Sequence, residues 1–304
     1  MTSLISLGHV LLGLVLAPLL PGVINKTKAL VAGRRGAPLL QLYYDLYRLT
    51  RKGAVFSSTT TGVFRLAPPL SVATVVLAMM FLPFGRWPSV LSFSADFILF
   101  AYILALGRFM TILAALDTGS SFEAMGASRE AFFSALAEPA LVIGFVTLSR
   151  LESSLTLSDM LLGIAPGSDA SQAPLLVMVA IAFFVVLVAE NSRIPVDDPN
   201  THLELTMVHE VMILDHSGPD LALIEYGAAL KLWLFASLIV AMMLPVPHAP
   251  GLAATTASLA GLGVIGVLVG TIESTMARLP LVRVPQLLVG ASLLSLVALT
   301  LVLQ

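Results

Sequence analysis

The stretch Ala189-Glu190-Asn191-Ser192-Arg193-Ile194-Pro195-Val196-Asp197-Asp198-Pro199 interrupts two long apolar segments of the chain. More carboxylates follow it, and eight of the 18 acidic residues lie at positions 190–225. The 304-residue chain as a whole is 58% hydrophobic and 11% charged, with a mean hydropathy of +0.97. Because an ionised carboxylate is costly in lipid, this polar stretch must meet water, a protein partner or a functional task.

Apolar runs of about 20 residues recur along the chain, which is typical of a polytopic helical membrane protein and not of a soluble enzyme. Hydropathy predicts eight spans, at 4–24, 62–84, 95–116, 133–151, 174–190, 221–244, 253–272 and 285–303. We therefore expect an all-α fold that forms a single membrane domain over residues 1–304. The first run lacks a basic segment before it and further spans follow, so we interpret it as a retained helix and not as a signal peptide.

The basic residues are concentrated in the segment between the first two spans. They are Lys26, Lys28, Arg34, Arg35, Arg48, Arg51 and Lys52. Because positively charged loops stay in the cytoplasm, this distribution predicts cytoplasmic loops at about 25–61, 117–132, 191–220 and 273–284. An even number of spans then places both termini outside, and it places the acidic stretch on the cytoplasmic face of the cell's inner membrane.

Within the first of these loops, apolar residues between Leu39 and Leu49 recur at helical spacing, and polar residues fill the other side. The pattern predicts an amphipathic interfacial helix, preceded by a turn at Gly33-Arg34-Arg35-Gly36-Ala37-Pro38. Two interpretations stay open. The helix either lies on the membrane surface with its cations reaching the headgroups, or forms one wall of a cavity for a lipid-soluble substrate.

The side-chain inventory argues against redox centres or metals in this chain. It contains no cysteine, which excludes disulfides, Cys-ligated iron–sulfur clusters and thiol nucleophiles. Of the five histidines only His9 lies in a convincing span, which argues against haem. His202, His209 and His216 are spaced by two helical turns, about 10 Å, which is too far to share one metal ion. We predict no catalytic, cofactor or metal site, and the net charge of −2 argues against a nucleic-acid partner.

Ionisable residues also occur inside the predicted spans, where each needs a partner. Arg108 lies several turns from either end of the third span, and Glu138 opens the fourth. We expect Glu138, Glu225 and Lys231 to form one buried polar network, because none has an obvious partner in its own helix. The candidate proton-transfer or coupling residues are Glu130, Glu138, Glu190, Arg193, Asp197, Asp198, Glu204, Glu210, Asp215, Glu225 and Lys231.

Within this set we predict Arg193 as the hub between Glu190 and Asp197, because a planar guanidinium can hold two carboxylates at once. The alternative is a surface ion pair worth at most about 1 kcal/mol. Glu130 has a simpler alternative role as well, since a carboxylate near a helix start favours the positive end of the helix dipole. The candidate docking residues are Arg34, Arg35, Asp117 and Arg129.

The motif Ala189-Glu190-x-x-Arg193-x-Pro195-x-Asp197 resembles the A-E-x-x-R-x-P-F-D loop of the quinone-site membrane subunit of respiratory complex I, known as subunit 1 or H. The turn at 33–36 and Leu66-Ala67-Pro68 resemble further landmarks of that subunit in the same order. The strings at 116–120, 126–130 and 274–279 more closely resemble its counterpart in energy-converting membrane-bound [NiFe] hydrogenases, including formate hydrogenlyase. The chain departs from the complex I pattern at Val196, which replaces Phe, and at Asn200-Thr201-His202, which replaces a glutamate-rich run, while Glu204 is retained.

The resemblance implies a membrane subunit of a redox-driven ion-pumping complex, which anchors a [NiFe]-hydrogenase-like peripheral arm and couples its electron transfer to proton or sodium translocation. The implied partners are hydrogenase-like large and small subunits, iron–sulfur proteins and antiporter-like membrane subunits, and these partners hold the iron–sulfur clusters and any NiFe centre. Two alternatives stay open. One is a quinone-chamber subunit of a complex I-type NADH:quinone oxidoreductase. The other is a self-sufficient secondary ion transporter, suggested by Arg108, Glu138 and Lys231.

Overall fold

The computed structural model of the chain describes residues 2–164, 172–197, 207–244 and 251–304. In these ranges the helices are α1 (Thr2–Leu16), α2 (Leu19–Val31), α3 (Gln41–Thr50), α4 (Gly62–Met79), α5 (Asp96–Asp117), α6 (Ser121–Glu152), α7 (Leu157–Gly163), α8 (Ala173–Glu190), α9 (His209–Met212), α10 (Gly218–Met243), α11 (Leu252–Thr275) and α12 (Val284–Val302).

The described helices confirm the predicted all-α membrane fold. Seven of them are long and apolar enough to cross a membrane, and α1 with α2 adds an eighth span if that pair, bent by 45°, is counted as one. The segment predicted as the loop at 117–132 is helical from Ser121 onward, because α6 begins there and continues to Glu152. Charged residues lower the hydropathy of this first part of α6 without breaking the helix. Between α8 and α10, the described residues 207–217 contain only the short helix α9.

Helix α10 forms the centre of the bundle. In its most apolar window 72% of the residues are buried, compared with 28–44% in the other six long helices. It packs against α2, α3, α4, α8 and α11, while α12 covers α6 and α8 on the other side. A charged residue on the inner face of α10 is therefore surrounded by protein and not by lipid.

The bend between α1 and α2 follows from Pro18. A proline has no backbone N–H, so the carbonyl of Leu14 has no donor four residues later. The hydroxyl of Tyr226 on α10 donates to that carbonyl at 2.8 Å, and the hydroxyl of Tyr43 on α3 donates to the carbonyl of Val15. Helix α3 is the predicted amphipathic helix, and none of its residues is buried.

Candidate functional site

Three charged residues from three helices meet inside the bundle. Arg108 on α5 donates from Nη1 to Oε1 of Glu190, the last residue of α8. Lys231 on α10 approaches the same carboxylate, with its Nζ 2.7 Å from Oε2. A carboxylate at a helix C-terminus meets the negative end of the helix dipole, and the side chain of Glu190 is only 4% exposed. Two cations therefore stabilise a carboxylate that its own helix disfavours.

Arg108 also extends the network towards the surface of the bundle. Its Nη2 donates to Oε1 of Glu138 on α6, whose side chain is 47% exposed. Buried charges persist only where they are paired, and this network pairs a buried arginine with two carboxylates at once. We refer to Arg108, Glu138, Glu190 and Lys231 as the central network.

A cavity of about 90 Å³ adjoins the central network. Arg108, Glu190 and Lys231 line it together with Glu130 of α6 and His209 of α9. The polar lining and this volume give room for several water molecules. The cavity therefore brings another carboxylate and an imidazole to the central network.

His209 is a neutral group at physiological pH. The pKa of its imidazole is lowered to about 4, first by burial and then by the positive charge of Lys231, while the carboxylate of Asp197 opposes both effects. A neutral imidazole can donate and accept a hydrogen bond at the same time. His209 can therefore relay protons between waters of the cavity without adding charge to it.

A second buried cluster joins the ends of α2 and α11. The side chain of Glu273 on α11 is completely buried. Its Oε2 lies 2.8 Å from Nζ of Lys28 on α2. Its Oε1 lies 3.5 Å from Nη1 of Arg193, in the loop that follows α8. One carboxylate therefore ties that loop to α2 and α11.

The loop after α8 has a further attachment to the segment that follows α11. Oδ1 of Asp197 lies 2.9 Å from Nη2 of Arg278, and Oδ2 accepts hydrogen bonds from the backbone N–H groups of Val208 and His209 at 3.1 and 3.2 Å. The carbonyl of Pro195 accepts a hydrogen bond from the N–H of Leu279 at 2.9 Å. We call these contacts the loop clasp.

The prediction of Arg193 as the hub of Glu190 and Asp197 is wrong. Among the described residues, Arg108 and Lys231 hold Glu190, while Arg193 contacts Glu273. The hub position belongs to Arg108, because its guanidinium reaches two carboxylates. The motif places Arg193 near both acids in sequence, but α8 ends at Glu190, and the loop that follows directs Arg193 and Asp197 to different neighbours.

The other predicted coupling residues are distributed more widely. Glu138 and Lys231 are brought together through Arg108 and Glu190, as the expected buried network requires, but Glu225 is exposed and has no ion pair within the described ranges. Asp215 is exposed, and its backbone N–H donates to the buried Glu123 at 3.1 Å. Glu210 is the second residue of α9, next to His209. Asp198 and Glu204 lie outside the described residues.

The predicted docking residues differ in exposure and in the contacts that they make within the chain. Arg34 and Arg35 are exposed in the turn after α2. Asp117 accepts hydrogen bonds from the backbone N–H and the hydroxyl of Thr61, at 2.7 and 2.8 Å, so its carboxylate holds the start of α4. Arg129 donates to the carbonyl of Met207 at 2.9 Å. Asp117 and Arg129 therefore have internal contacts, whereas the two exposed arginines face outward.

The fold and the site together define a multi-pass membrane protein with a buried ion-pair network that adjoins a polar cavity. The sequence profile of the family described as NADH dehydrogenase matches residues 4–303, and the chain belongs to that family. This finding confirms the predicted relationship to the quinone-site membrane subunit of complex I.

Individual relatives carry more specific names. The chain is 31% identical to hydrogenase-4 component C of Escherichia coli K12, over 90% of this chain and 87% of the relative. It is 30% identical to formate hydrogenlyase subunit 4 of the same strain, over 89% of each chain. The H-type subunit of the NADH-quinone oxidoreductase of Bordetella pertussis is 28% identical over 70% of this chain, which spans 62% of that relative.

A solved structure shares the fold. It is a chain of the membrane-bound sulfane sulfur reductase, an archaeal respiratory membrane complex, with a TM-score of 0.84, 18% identity and 99% of both chains covered. By name, the sequence relatives are components or subunits of larger redox assemblies. The comparisons therefore agree with the predicted class of function, a membrane subunit of a redox-driven complex.

Proposed function

We propose that this chain is the membrane subunit that anchors a [NiFe]-hydrogenase-like peripheral arm and couples its electron transfer to proton or sodium translocation. The names of two relatives at 30% identity or above, hydrogenase-4 component C and formate hydrogenlyase subunit 4, support the hydrogenase type of arm. In this proposal the chain holds no redox centre of its own. The iron–sulfur clusters and the NiFe centre belong to the partner subunits.

The observation that carries the proposal is the charge balance of the central network and its cavity. Two cations and three carboxylates share this region, namely Arg108, Lys231, Glu130, Glu138 and Glu190. With every carboxylate ionised the group has an excess of one negative charge, and one bound proton makes it neutral. Such a group takes up or releases a proton when a nearby charge moves, because close charges in a poorly solvated site shift each other's pKa.

The loop after α8 gives the peripheral arm a route to this group. Glu190 is the last residue of α8, and the loop clasp begins a few residues later at Pro195 and Asp197. A displacement of the loop by a docked partner therefore acts on the helix end that carries Glu190. Asp197 also contacts the backbone of His209, which lines the cavity. The loop is therefore connected to the central network through Glu190 and to the cavity through His209.

The orientation of the subunit follows from the same proposal. The end of the bundle that carries the basic turn and the loop clasp faces the cytoplasm, and the termini lie outside the cytoplasmic membrane. Arg35, which is exposed in the turn after α2, contributes to the docking surface for the peripheral arm. Antiporter-like membrane subunits receive the coupled proton or sodium ion through the membrane face of the bundle.

The test measures the redox reaction and ion translocation in the same membranes, after normalising to the amount of assembled complex. Glu190→Gln and Glu130→Gln are expected to assemble, to lose ion translocation and to slow the coupled redox reaction. Glu152→Gln is the matched control, since this carboxylate also lies on α6 but at its far end. Wild-type translocation in both cavity variants would refute the coupling role.

Purification separates this proposal from its two alternatives. A self-sufficient transporter moves ions when the chain alone is placed in liposomes, whereas a coupling subunit is inert alone and co-purifies with iron–sulfur proteins. A quinone-chamber subunit makes activity depend on quinone analogues, as the similarity to a subunit of NADH-quinone oxidoreductase suggests. Assays with hydrogen, formate and quinone analogues on the purified native complex distinguish these outcomes.

A further inference from the structure

A surface pocket of about 530 Å³ lies where α2 and α11 end. Its polar lining includes Lys28, Arg34 and Ser274, and its apolar lining includes Ala29, Val31 and Ala32. It adjoins the turn that follows a membrane-spanning segment, so it faces the level at which lipid headgroups lie. Basic pockets between transmembrane helices at this level are suited to anionic lipid headgroups.

The charge around the pocket is strongly positive. Glu273 is the acidic group next to it, but that side chain is completely buried and is shared by Lys28 and Arg193. Arg34 and Arg35 have no ion pair in the described part of the chain. The Nζ of Lys26 donates to the carbonyl of Arg35 at 2.7 Å, which adds a third cation to the turn.

The backbone holds Arg34 at the rim of the pocket. The turn passes through two glycines with left-handed conformations, Gly33 at φ 67° and Gly36 at φ 64°. The N–H of Arg34 donates to the carbonyl of Ala29 at 2.7 Å, which folds the turn back against the end of α2. A side chain at position 36 would lie 2.4 Å from Cβ of Ala29, so the close approach also requires glycine. The position of this arginine therefore depends on backbone contacts and not on a free loop.

The apolar side of the pocket continues onto an exposed helix surface. Leu30 and Val31, in the last turn of α2, are 69% and 55% exposed. A ligand that fits this arrangement has an anionic head and an apolar tail. The hydroxyl of Ser274 donates to the carbonyl of Gly270 at 2.7 Å, which leaves its oxygen free to accept a hydrogen bond from a headgroup hydroxyl.

We propose that this pocket binds the phosphodiester headgroup of an anionic membrane lipid, with Arg34 and Lys28 facing the phosphate and the acyl chains lying along Leu30 and Val31. This site is separate from the central network and goes beyond the proposed coupling function. For Arg34 it replaces the docking role expected from the sequence.

The test uses the intact complex in nanodiscs of phosphatidylcholine with added phosphatidylglycerol. Native mass spectrometry after release measures the retained phosphatidylglycerol relative to phosphatidylcholine. Arg34→Gln is expected to reduce this ratio about fivefold, the factor that one cation contributes at an anionic membrane surface. Arg34→Lys keeps the charge and is expected to keep most of the preference. Lys52→Gln, which removes an exposed cation after α3 and outside the pocket, is expected to leave the ratio unchanged.

Three results would overturn the proposal. The first is an unchanged ratio in Arg34→Gln, or an equal loss in Lys52→Gln, which indicates a general surface-charge effect. The second is release of the bound lipid by excess inorganic phosphate, which indicates a site for free phosphate. The third is selectivity that develops only after the peripheral subunits are stripped from the complex, which indicates that an acidic protein segment covers the pocket.

Discussion

Nζ of Lys231 lies 2.7 Å from Oε2 of Glu190, and their side chains are 16% and 4% exposed. Lys231 lies within the central helix α10, and Glu190 is the last residue of α8. This contact therefore fixes the end of α8 to the middle of α10. Glu190 also pairs with Arg108. Removing one cation from such a group leaves a buried charge only partly compensated, which is costly.

We therefore expect Lys231→Met to destabilise the chain by about 3 kcal/mol and to reduce the amount of assembled complex. Adding Glu190→Gln to this variant should recover part of the loss, because Arg108 keeps Glu138 and the uncompensated carboxylate is gone. Thermal unfolding and native gels of the purified complex measure both effects. An additive loss in the double variant would show that the pair is not energetically coupled.

The loop clasp predicts different costs for its two charged residues. Within the described residues Asp197 accepts hydrogen bonds from two backbone N–H groups and also pairs with Arg278, so replacing it affects at least these three donors. Each buried donor left without an acceptor costs about 1–3 kcal/mol. Asp197→Ala should therefore release the peripheral arm during purification, whereas Arg278→Gln should retain most of it. The subunit stoichiometry of the purified complex checks this, and equal retention in both variants would contradict it.

The sequence predicted the spans well because a span is recognised from the local composition of about 20 consecutive residues. It could not predict which charged residues form ion pairs. Arg108 and Lys231 each required an anion, and one carboxylate, Glu190, serves both because three helices converge there. Lys28 and Glu273 were missed as a pair for the same reason, although a lone carboxylate at the end of an apolar span was a usable signal. Short motifs report neighbours along the chain, while ion pairs between helices depend on how the helices pack.

Arg193 gives a prediction that differs from the one its motif suggested. From the sequence we expected Arg193→Lys to assemble and lose much of its activity, because a lysine lacks the fork that holds two carboxylates. In the structure a single nitrogen approaches Glu273, at 3.5 Å, which a lysine can also do. We now expect Arg193→Lys to keep redox and translocation activity. Glu273→Gln should instead lower assembly, since it leaves Lys28 and Arg193 without their shared anion.

Activity per assembled complex decides between these expectations. A large loss in Arg193→Lys with normal assembly would favour a role in the reaction path. A silent Glu273→Gln would show that the buried cluster contributes little to the fold. Glu225→Gln provides a comparison on an exposed carboxylate of α10.

His216 makes the fold sensitive to acid. Its ring stacks on Phe64 with the centroids 3.9 Å apart and the planes within 8°, and the residue is 5% exposed. Burial lowers the pKa of this imidazole from 6.5 to about 4. The folded chain therefore binds a proton less readily than the unfolded chain, so stability is full above pH 6.5 and is lost as the pH falls towards 4.

We expect the thermal stability of the wild-type complex to decline over this interval, with His216 contributing on the order of 3 kcal/mol to the decline. His216→Asn removes the titrating group and should flatten the slope of unfolding temperature against pH, whatever its effect on stability at neutral pH. Phe64→Leu is the matched control, because it removes the ring contact and keeps the imidazole, so its slope should stay steep. The His209 imidazole has a lowered pKa as well and leaves a residual slope in the His216 variant. An identical slope in wild type and His216→Asn would show that this imidazole takes up protons equally in the folded and the unfolded chain, so that burial does not lower its pKa.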